Sequence, residues 1–359
     1  MSAPGRPKRE SSLGEAVAQR LEGSASGAPG RPKRESSLGE AVAKRLEGSA
    51  SGAPGRPKRE SSLGEAVAKR LEGSASGTPG RPKRESSLGE AVAQRLEGSA
   101  SGAPGLRVRQ LARAGQWAGT TRGSAPGMLQ CNVVVLPQSE AEAFGEWCER
   151  NADIAPVVAR TEPGNPVLPE LGEDVDLRLD LPAYRLFEHG QAVGEVADLR
   201  AVWRDDLVGF AFGCSFSLED ALRAGGIPLD YEERGFGGAI YVTSRESQPH
   251  RHYGGPLVVS MRPIRQEWVA STLELCARYP QLHGAPVHAG DPAALGIVLN
   301  QPLQSLGPLS VAPGEVPVFW ACGVTTQYVI EQARPAWAAS HVSARMLVTD
   351  VPIEALRRG

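Results

Sequence analysis

The sequence predicts a mixed α/β fold behind a low-complexity N-terminal array, and three observations carry that reading. Short apolar runs end in small polar clusters: Leu257–Met261 before Arg262-Pro263, Val316–Trp320 before Ala321-Cys322-Gly323, and Arg345–Thr349 before Asp350. Such runs are the signature of strands buried on both faces. Stretches with apolar residues at helical spacing lie between them, so a largely buried sheet flanked by helices is expected. The composition, 41% hydrophobic and 22% charged over 359 residues with net charge -2, is that of a globular protein.

The first hundred residues are organised differently. Four near-identical 25-residue units start at Ala3, Ala28, Ala53 and Thr78, and differ mainly at Gln19, Lys44, Lys69 and Gln94. Each opens on a Pro/Gly/basic turn and closes on a Gly/Ser/Ala linker. Ser11 or Ser12 can cap one short helix, with Leu13, Val17 and Leu21 along one face. Three apolar residues per unit bury too little area to offset the entropy of ordering, so residues 1–104 are expected to be disordered or transiently helical. The units sum to net +6 and the remainder of the chain to -8. Arg-Pro-Lys-Arg patches alone do not make a nucleic-acid binder when each unit also carries three glutamates. The same glutamates argue against a mitochondrial transit peptide.

The body, residues 105–359, is expected to begin with an arginine-rich helix at Leu106–Ala114 and a glycine-punctuated loop, Gly115–Gly127. A buried strand at Val133–Leu136 follows, then a helix capped by Ser139 and running to Arg150. Asp174–Arg178 and Tyr184–Phe187 read as short strands. Leu207–Phe212 is an apolar strand stopping at Gly213-Cys214-Ser215-Phe216-Ser217, ahead of a helix at Leu218–Ala224. Gln266–Arg278 reads as a helix, Gly296–Leu299 as a strand, and Thr326–Ala333 as a helix.

No stretch approaches the ~20 apolar residues of a membrane span. The five cysteines are widely spaced and never form CxxC, which argues against a disulfide scaffold or structural zinc and for a reducing compartment. The body holds no GxGxxG, P-loop, HExxH or GxSxG, so nucleotide cofactors and serine-hydrolase chemistry are not expected.

Candidate chemistry falls at four places. His283 and His288 sit with Asp291 on a segment broken by Gly284, Pro286, Gly290 and Pro292, so the imidazoles lie on a loop. Arg262 directly follows a strand and can grip a carboxylate bidentately. Cys214, Ser215 and Ser217 precede a helix start, where backbone N–H groups favour anions. Cys322 and Thr325 repeat that strand–turn–helix pattern, which admits a thiolate of lowered pKa. Trp203-Arg204-Asp205-Asp206 reads as a structural ion network.

These motifs carry a resemblance. Across about residues 105–355 the chain resembles the YcsI-like hydro-lyase family, related to mitochondrial D-glutamate cyclase. It does so through Ala125-Pro126-Gly127, Gln130-Cys131-Asn132, Arg204–Val208, Gly213–Ser217, Gly255–Pro263, His283–His288, Gly290-Asp291-Pro292, Gly314–Thr325 and Met346–Asp350. The resemblance implies a two-domain α/β fold: a three-layer αβα sandwich with a smaller α+β two-layer domain inserted within about 180–260. It also implies a carbon–oxygen lyase that eliminates water. The mitochondrial relative turns D-glutamate into 5-oxo-D-proline and water, and carries a further C-terminal domain. Two departures stand out. Family members carry Pro-Gly-His where this chain has Ser343-Ala344-Arg345, and Thr-Asn followed by a cysteine where it has Thr243-Ser244.

The expected enzyme is a hydro-lyase acting on a small carboxylate or amino acid, without cofactor. Arg262 is expected to anchor the carboxylate, His283 or His288 to act as acid/base, and Asp291 to orient an imidazole. Asn132, Cys214, Ser215, Ser217, Cys322, Thr325 and His341 would line the pocket. The alternatives are a catalytically silent small-acid binder, a metal-assisted lyase using His283, His288 and Asp291, and a Cys322–His hydrolase. No nucleic-acid or membrane partner is expected, and a homo-oligomer is admissible. The expected compartment is the cytoplasm, with the mitochondrial matrix as alternative.

Overall fold

A computed structural model describes residues 103–358, which fall within one compact unit of the chain. The repeat array, and the disorder expected of it, lie outside the described residues. The body is mixed α/β, built on two sheets whose strand pairings are all antiparallel.

Helix α1 (Pro104–Arg113) leads to strand β1 (Met128–Pro137) and helix α2 (Gln138–Arg150). Strands β2 (Val157–Arg160), β3 (Tyr184–Glu188), β4 (Gln191–Val196) and β5 (Leu207–Gly213) follow, then helix α3 (Phe216–Ala224). Next come β6 (Ala239–Glu246), β7 (Pro256–Arg265) and α4 (Val269–Ala277). The chain continues through β8 (His288–Ala289), β9 (Gln304–Ser305), β10 (Glu315–Ala321), α5 (Thr325–Ala333), β11 (Ala338–His341) and β12 (Leu347–Pro352).

The larger sheet runs β2-β5-β1-β11-β3-β4, with β12 also on β1. Strand β1 is shared lengthwise on one edge. Its first half pairs β12 (Gln130 opposite Val348) and its second half pairs β11 (Val134 opposite Ser340). Its other edge pairs β5 from Cys131 to Pro137. Nine of its ten residues are buried, which explains why Val133–Leu136 reads as an unbroken apolar run. The smaller sheet runs β8-β10-β7-β6-β9 and draws its strands from residues 239–321.

Helix α2 covers the larger sheet through an aromatic cluster. Phe144 meets Phe210 and Tyr253 edge-on, each with centroids 5.2 Å apart, a geometry that adds to simple burial. On the other flank α1 packs on β12. There Val108, Trp117, Ala125 and Val348 form a buried cluster. Arg109 is fully buried beside it, held by Asp350 at 2.6 Å, Asp174 at 2.5 Å and the Val348 carbonyl at 2.9 Å. Asp180 lies 3.8 Å from its Nε and is also paired with Arg113.

Several local expectations are corrected. Asp174–Arg178 is turn structure with a single bridge, Asp176 to Val167. Gly296–Leu299 is turn rather than strand; the neighbouring pairing is made by the two-residue β8 and β9. Helix α2 starts at Gln138 without a side-chain cap from Ser139. Among the described residues no helix is long and apolar enough to cross a membrane.

Candidate active site

A cavity partly open to solvent lies where strand ends of both sheets meet the first turns of α3 and α5. The larger sheet supplies Asn132 from β1, Cys214 after β5 and His341 from the end of β11. The smaller sheet supplies a cross-strand row: Gln304 pairs Ile240, and Ile240 pairs Ser260. Arg262, two residues on from Ser260, faces the same side because strand side chains alternate.

Arg262 is the charged centre. Its side chain is buried, its Nε donates to Glu219 Oε1 at 2.6 Å, and one terminal nitrogen donates to Ser260 Oγ at 3.1 Å. The other donates to Ser215 Oγ at 3.3 Å, and the guanidinium lies 5.5 Å from the Trp320 ring centroid. Burial opposes its charge, but Glu219 and the neighbouring Tyr231 more than offset that, and its pKa is raised. Glu219 is itself shared: Arg122 Nε approaches its second oxygen at 2.7 Å. Arg122 is also paired with Glu232, which Arg223 shares while pairing Asp220, so the wider cluster of three arginines and three carboxylates is balanced in formal charge. Among the described residues lining the cavity, Arg262 carries the only formal charge.

His341 is buried at the end of β11, with Nδ1 3.2 Å from both the amide nitrogen and the carbonyl of Val133. Burial pulls its pKa down to about 4, so the imidazole is neutral near pH 7. With Nδ1 fixed on the backbone, Nε2 is the nitrogen available to the cavity. Asn132 donates from Nδ2 to the Gly213 carbonyl at 3.0 Å. Gly323 presses against that amide so closely that an added Cβ would lie 2.0 Å from Asn132 Cγ. Glycine is required here for close approach rather than for an unusual φ.

Cys214 and Cys322 both line the cavity, and burial pushes their thiols up to about 12 and 11. They are protonated near pH 7, which counts against Cys322 as a thiolate nucleophile.

The cavity therefore brings together six of the sequence candidates: Arg262, Asn132, Cys214, Ser215, Cys322 and His341. The other five lie outside its lining. Ser217 Oγ accepts from Gln130 N at 2.8 Å and ties α3 to β1. Thr325 Oγ1 accepts from Val258 N at 3.0 Å and ties α5 to β7. His283 adopts a left-handed backbone (φ 72°) and is buried, with Nδ1 3.1 Å from the Asp153 carbonyl. Burial lowers its pKa to about 4. His288 Nε2 bonds the backbone carbonyl of Asp291 at 2.8 Å, and its ring rests 5.9 Å from Phe319. The Asp291 carboxylate accepts from Ala293 N at 3.0 Å, capping a 3-10 turn. Among the described residues no group of three or more His, Cys, Asp or Glu could hold a metal ion.

Sequence reasoning missed Glu219, Ser260, Gln304 and Ser343. Ser260 was within reach, because it stands two residues before Arg262 on one strand. Glu219 carried a signal too, as the one acidic residue among the buried positions of Phe216–Ala224.

The family model described as D-glutamate cyclase matches residues 208–350. A Bordetella petrii protein named "Putative hydro-lyase" is 46% identical over 238 residues, covering 66% of this chain and 90% of its own. A like-named protein of Jannaschia sp. is 45% identical over 241 residues, covering 67% and 91%. Among solved structures, a nitrogen repressor-like protein of Methanococcus jannaschii aligns over 68% of this chain and 94% of its own. Its TM-score of 0.32 at 10% identity carries no argument. With relatives covered almost end to end, the chain belongs to the hydro-lyase family that includes the D-glutamate cyclase domain.

Proposed function

We propose that the cavity is the active site of a lyase removing water from a small carboxylate, with an acidic amino acid such as D-glutamate as the nearest case. One observation carries this reading: a buried arginine, the only formally charged group among the described lining residues, faces a cavity flanked by the first turns of two helices. The positive ends of α3 and α5 add to its preference for an anion. Family membership supplies the reaction class.

For an amino acid that cyclises, the amine nitrogen attacks the side-chain carboxyl carbon, a C–N bond forms and the C–O bond to hydroxide breaks. Arg262 holds one carboxylate in place, which makes the attack intramolecular and oriented. His341, neutral and fixed through Nδ1, accepts the amine proton at Nε2 and returns it to the departing hydroxyl, which leaves as water. Asn132 and the turn at Cys322-Gly323 supply polar contacts to the carboxyl oxygen.

The test is incubation of the full chain with D- and L-amino acids and 2-hydroxy acids, followed by NMR. A product lighter by one water, lost in Arg262→Gln and His341→Gln, supports the reading. Full turnover in both variants sinks it. A second reading, a silent small-acid binder, draws on Ser343-Ala344-Arg345 standing where the family resemblance places Pro-Gly-His; binding with no product in that screen would favour it.

A further inference from the structure

The turn Val342–Arg345 joins β11 to β12 and forms part of the cavity wall through Ser343 and Ala344. Two anomalies meet there. Ala344 has φ 64°, a left-handed conformation that a residue with a Cβ adopts at a cost. Ser343 Oγ is buried from solvent and has no hydrogen-bond partner. Buried hydroxyls are normally satisfied, and strained backbone persists where surrounding bonds impose it. Those bonds are present. The Ala344 carbonyl accepts from Thr121 N at 2.9 Å, Met346 N donates to Thr121 Oγ1 at 3.0 Å, and Arg345 N donates to the Val342 carbonyl at 2.9 Å. Thr121 is fully buried, so the turn is held from behind, and Ser343 lines the cavity with a hydroxyl that has no protein partner.

Charge indicates what that hydroxyl would meet. Arg262, from the other sheet, is the only formally charged group among the described lining residues, so one carboxylate belongs there. A neutral hydroxyl elsewhere on the wall suits a donor group of the same small molecule. We infer that Ser343 is a specificity-determining residue, accepting a hydrogen bond from the substrate's amino group and selecting amino acids over plain carboxylates. This rests on the carboxylate reading of the cavity.

The experiment is calorimetric titration of the full chain with D-glutamate and with glutarate, which shares both carboxylates but lacks the amine. The unaltered protein is expected to bind D-glutamate more tightly. Ser343→Ala should weaken D-glutamate binding by about tenfold, the scale of one hydrogen bond to a charged group, and leave glutarate unchanged. Equal affinity of the unaltered protein for both probes overturns the inference. So does a Ser343→Ala variant that binds both as before, or that weakens both alike, and the carboxylate reading then stands alone. If the unaltered protein binds neither probe, the carboxylate reading fails first and takes the inference with it.

Discussion

Two buried arginines with similar burial do opposite work. Arg109 is met by three aspartates, Asp174, Asp180 and Asp350, and by a backbone carbonyl. Arg262 is met by Glu219, which it shares with Arg122, and otherwise by serine hydroxyls. The first is supplied with negative charge in excess and ties α1 to β12. The second sits in a cluster balanced in formal charge, Arg262, Arg122 and Arg223 against Glu219, Glu232 and Asp220, and alone among them lines the cavity. The difference lies in what each cation faces: Arg109 is enclosed by carboxylates, whereas Arg262 meets two serine hydroxyls on the cavity wall.

The sharpest test separates the two. Arg109→Met leaves Asp350 without its buried cation, while Asp174 and Asp180 keep Arg113, and should cost about 3–5 kcal/mol in urea unfolding. Arg262→Gln should stay folded, because Glu219 keeps Arg122, yet lose turnover by at least ~100-fold. Equal destabilisation by both substitutions would collapse the distinction.

The buried histidines give the next largest effect. His283 and His341 have folded pKa values near 4 against about 6.5 unfolded. The unfolded chain therefore binds more protons between those values, and stability falls as pH drops from 6.5 toward 4. Each histidine should withdraw roughly 1 kcal/mol per pH unit there. His283→Gln and His341→Gln should each flatten that slope in urea titrations. An acid limb of turnover that belongs to His341 should sit near pH 4 rather than 6.5.

Gly323→Ala tests the cavity from the packing side. Its methyl must displace the Asn132 amide, at about 1–3 kcal/mol for an overpacked site, with loss of turnover. Least is expected of Arg204→Ala. Arg204 pairs with Asp206 at 2.9 Å, lies over the Trp337 ring at 5.2 Å, and is exposed. Removing it should shift stability by less than about 1 kcal/mol and leave turnover unchanged.

Much of this architecture was legible because burial writes itself into local sequence. The apolar runs at Leu257–Met261 and Val316–Trp320 are the centres of β7 and β10, and Leu207–Phe212 is nearly all of β5. The strands that escaped are those whose burial is partial or whose length is small. β4 is mostly exposed, β6 is buried only at alternate positions, and β11 holds four residues, one of them His341. The site divided along the same line. Strand-end clusters pointed to Arg262, Cys214, Ser215 and Cys322, and these four line the cavity because it lies at the ends of the strands that precede them.

The histidine loop drew attention through local density of imidazoles, yet density along the chain is not convergence in space. Its backbone instead seals the end of β5. A Cβ at Gly213 would lie 1.7 Å from the Gln281 carbonyl, and His283 is bonded to the loop after α2. His341, isolated in the sequence, reaches the cavity only because β11 pairs a strand some two hundred residues earlier.

That last pairing has a kinetic consequence. The contact between Val133 and His341 spans 208 residues, and that between Leu106 and Asp350 spans 244. Loop closure on this scale comes late, and folds dominated by such contacts are slow. During synthesis β1 must wait with one edge unpaired until residues 338–352 emerge, offering an aggregation-prone strand to its surroundings. The wall that carries His341 and Ser343 is thus among the last parts of the body to be put in place, and ligand-binding competence should serve as a late marker of complete folding.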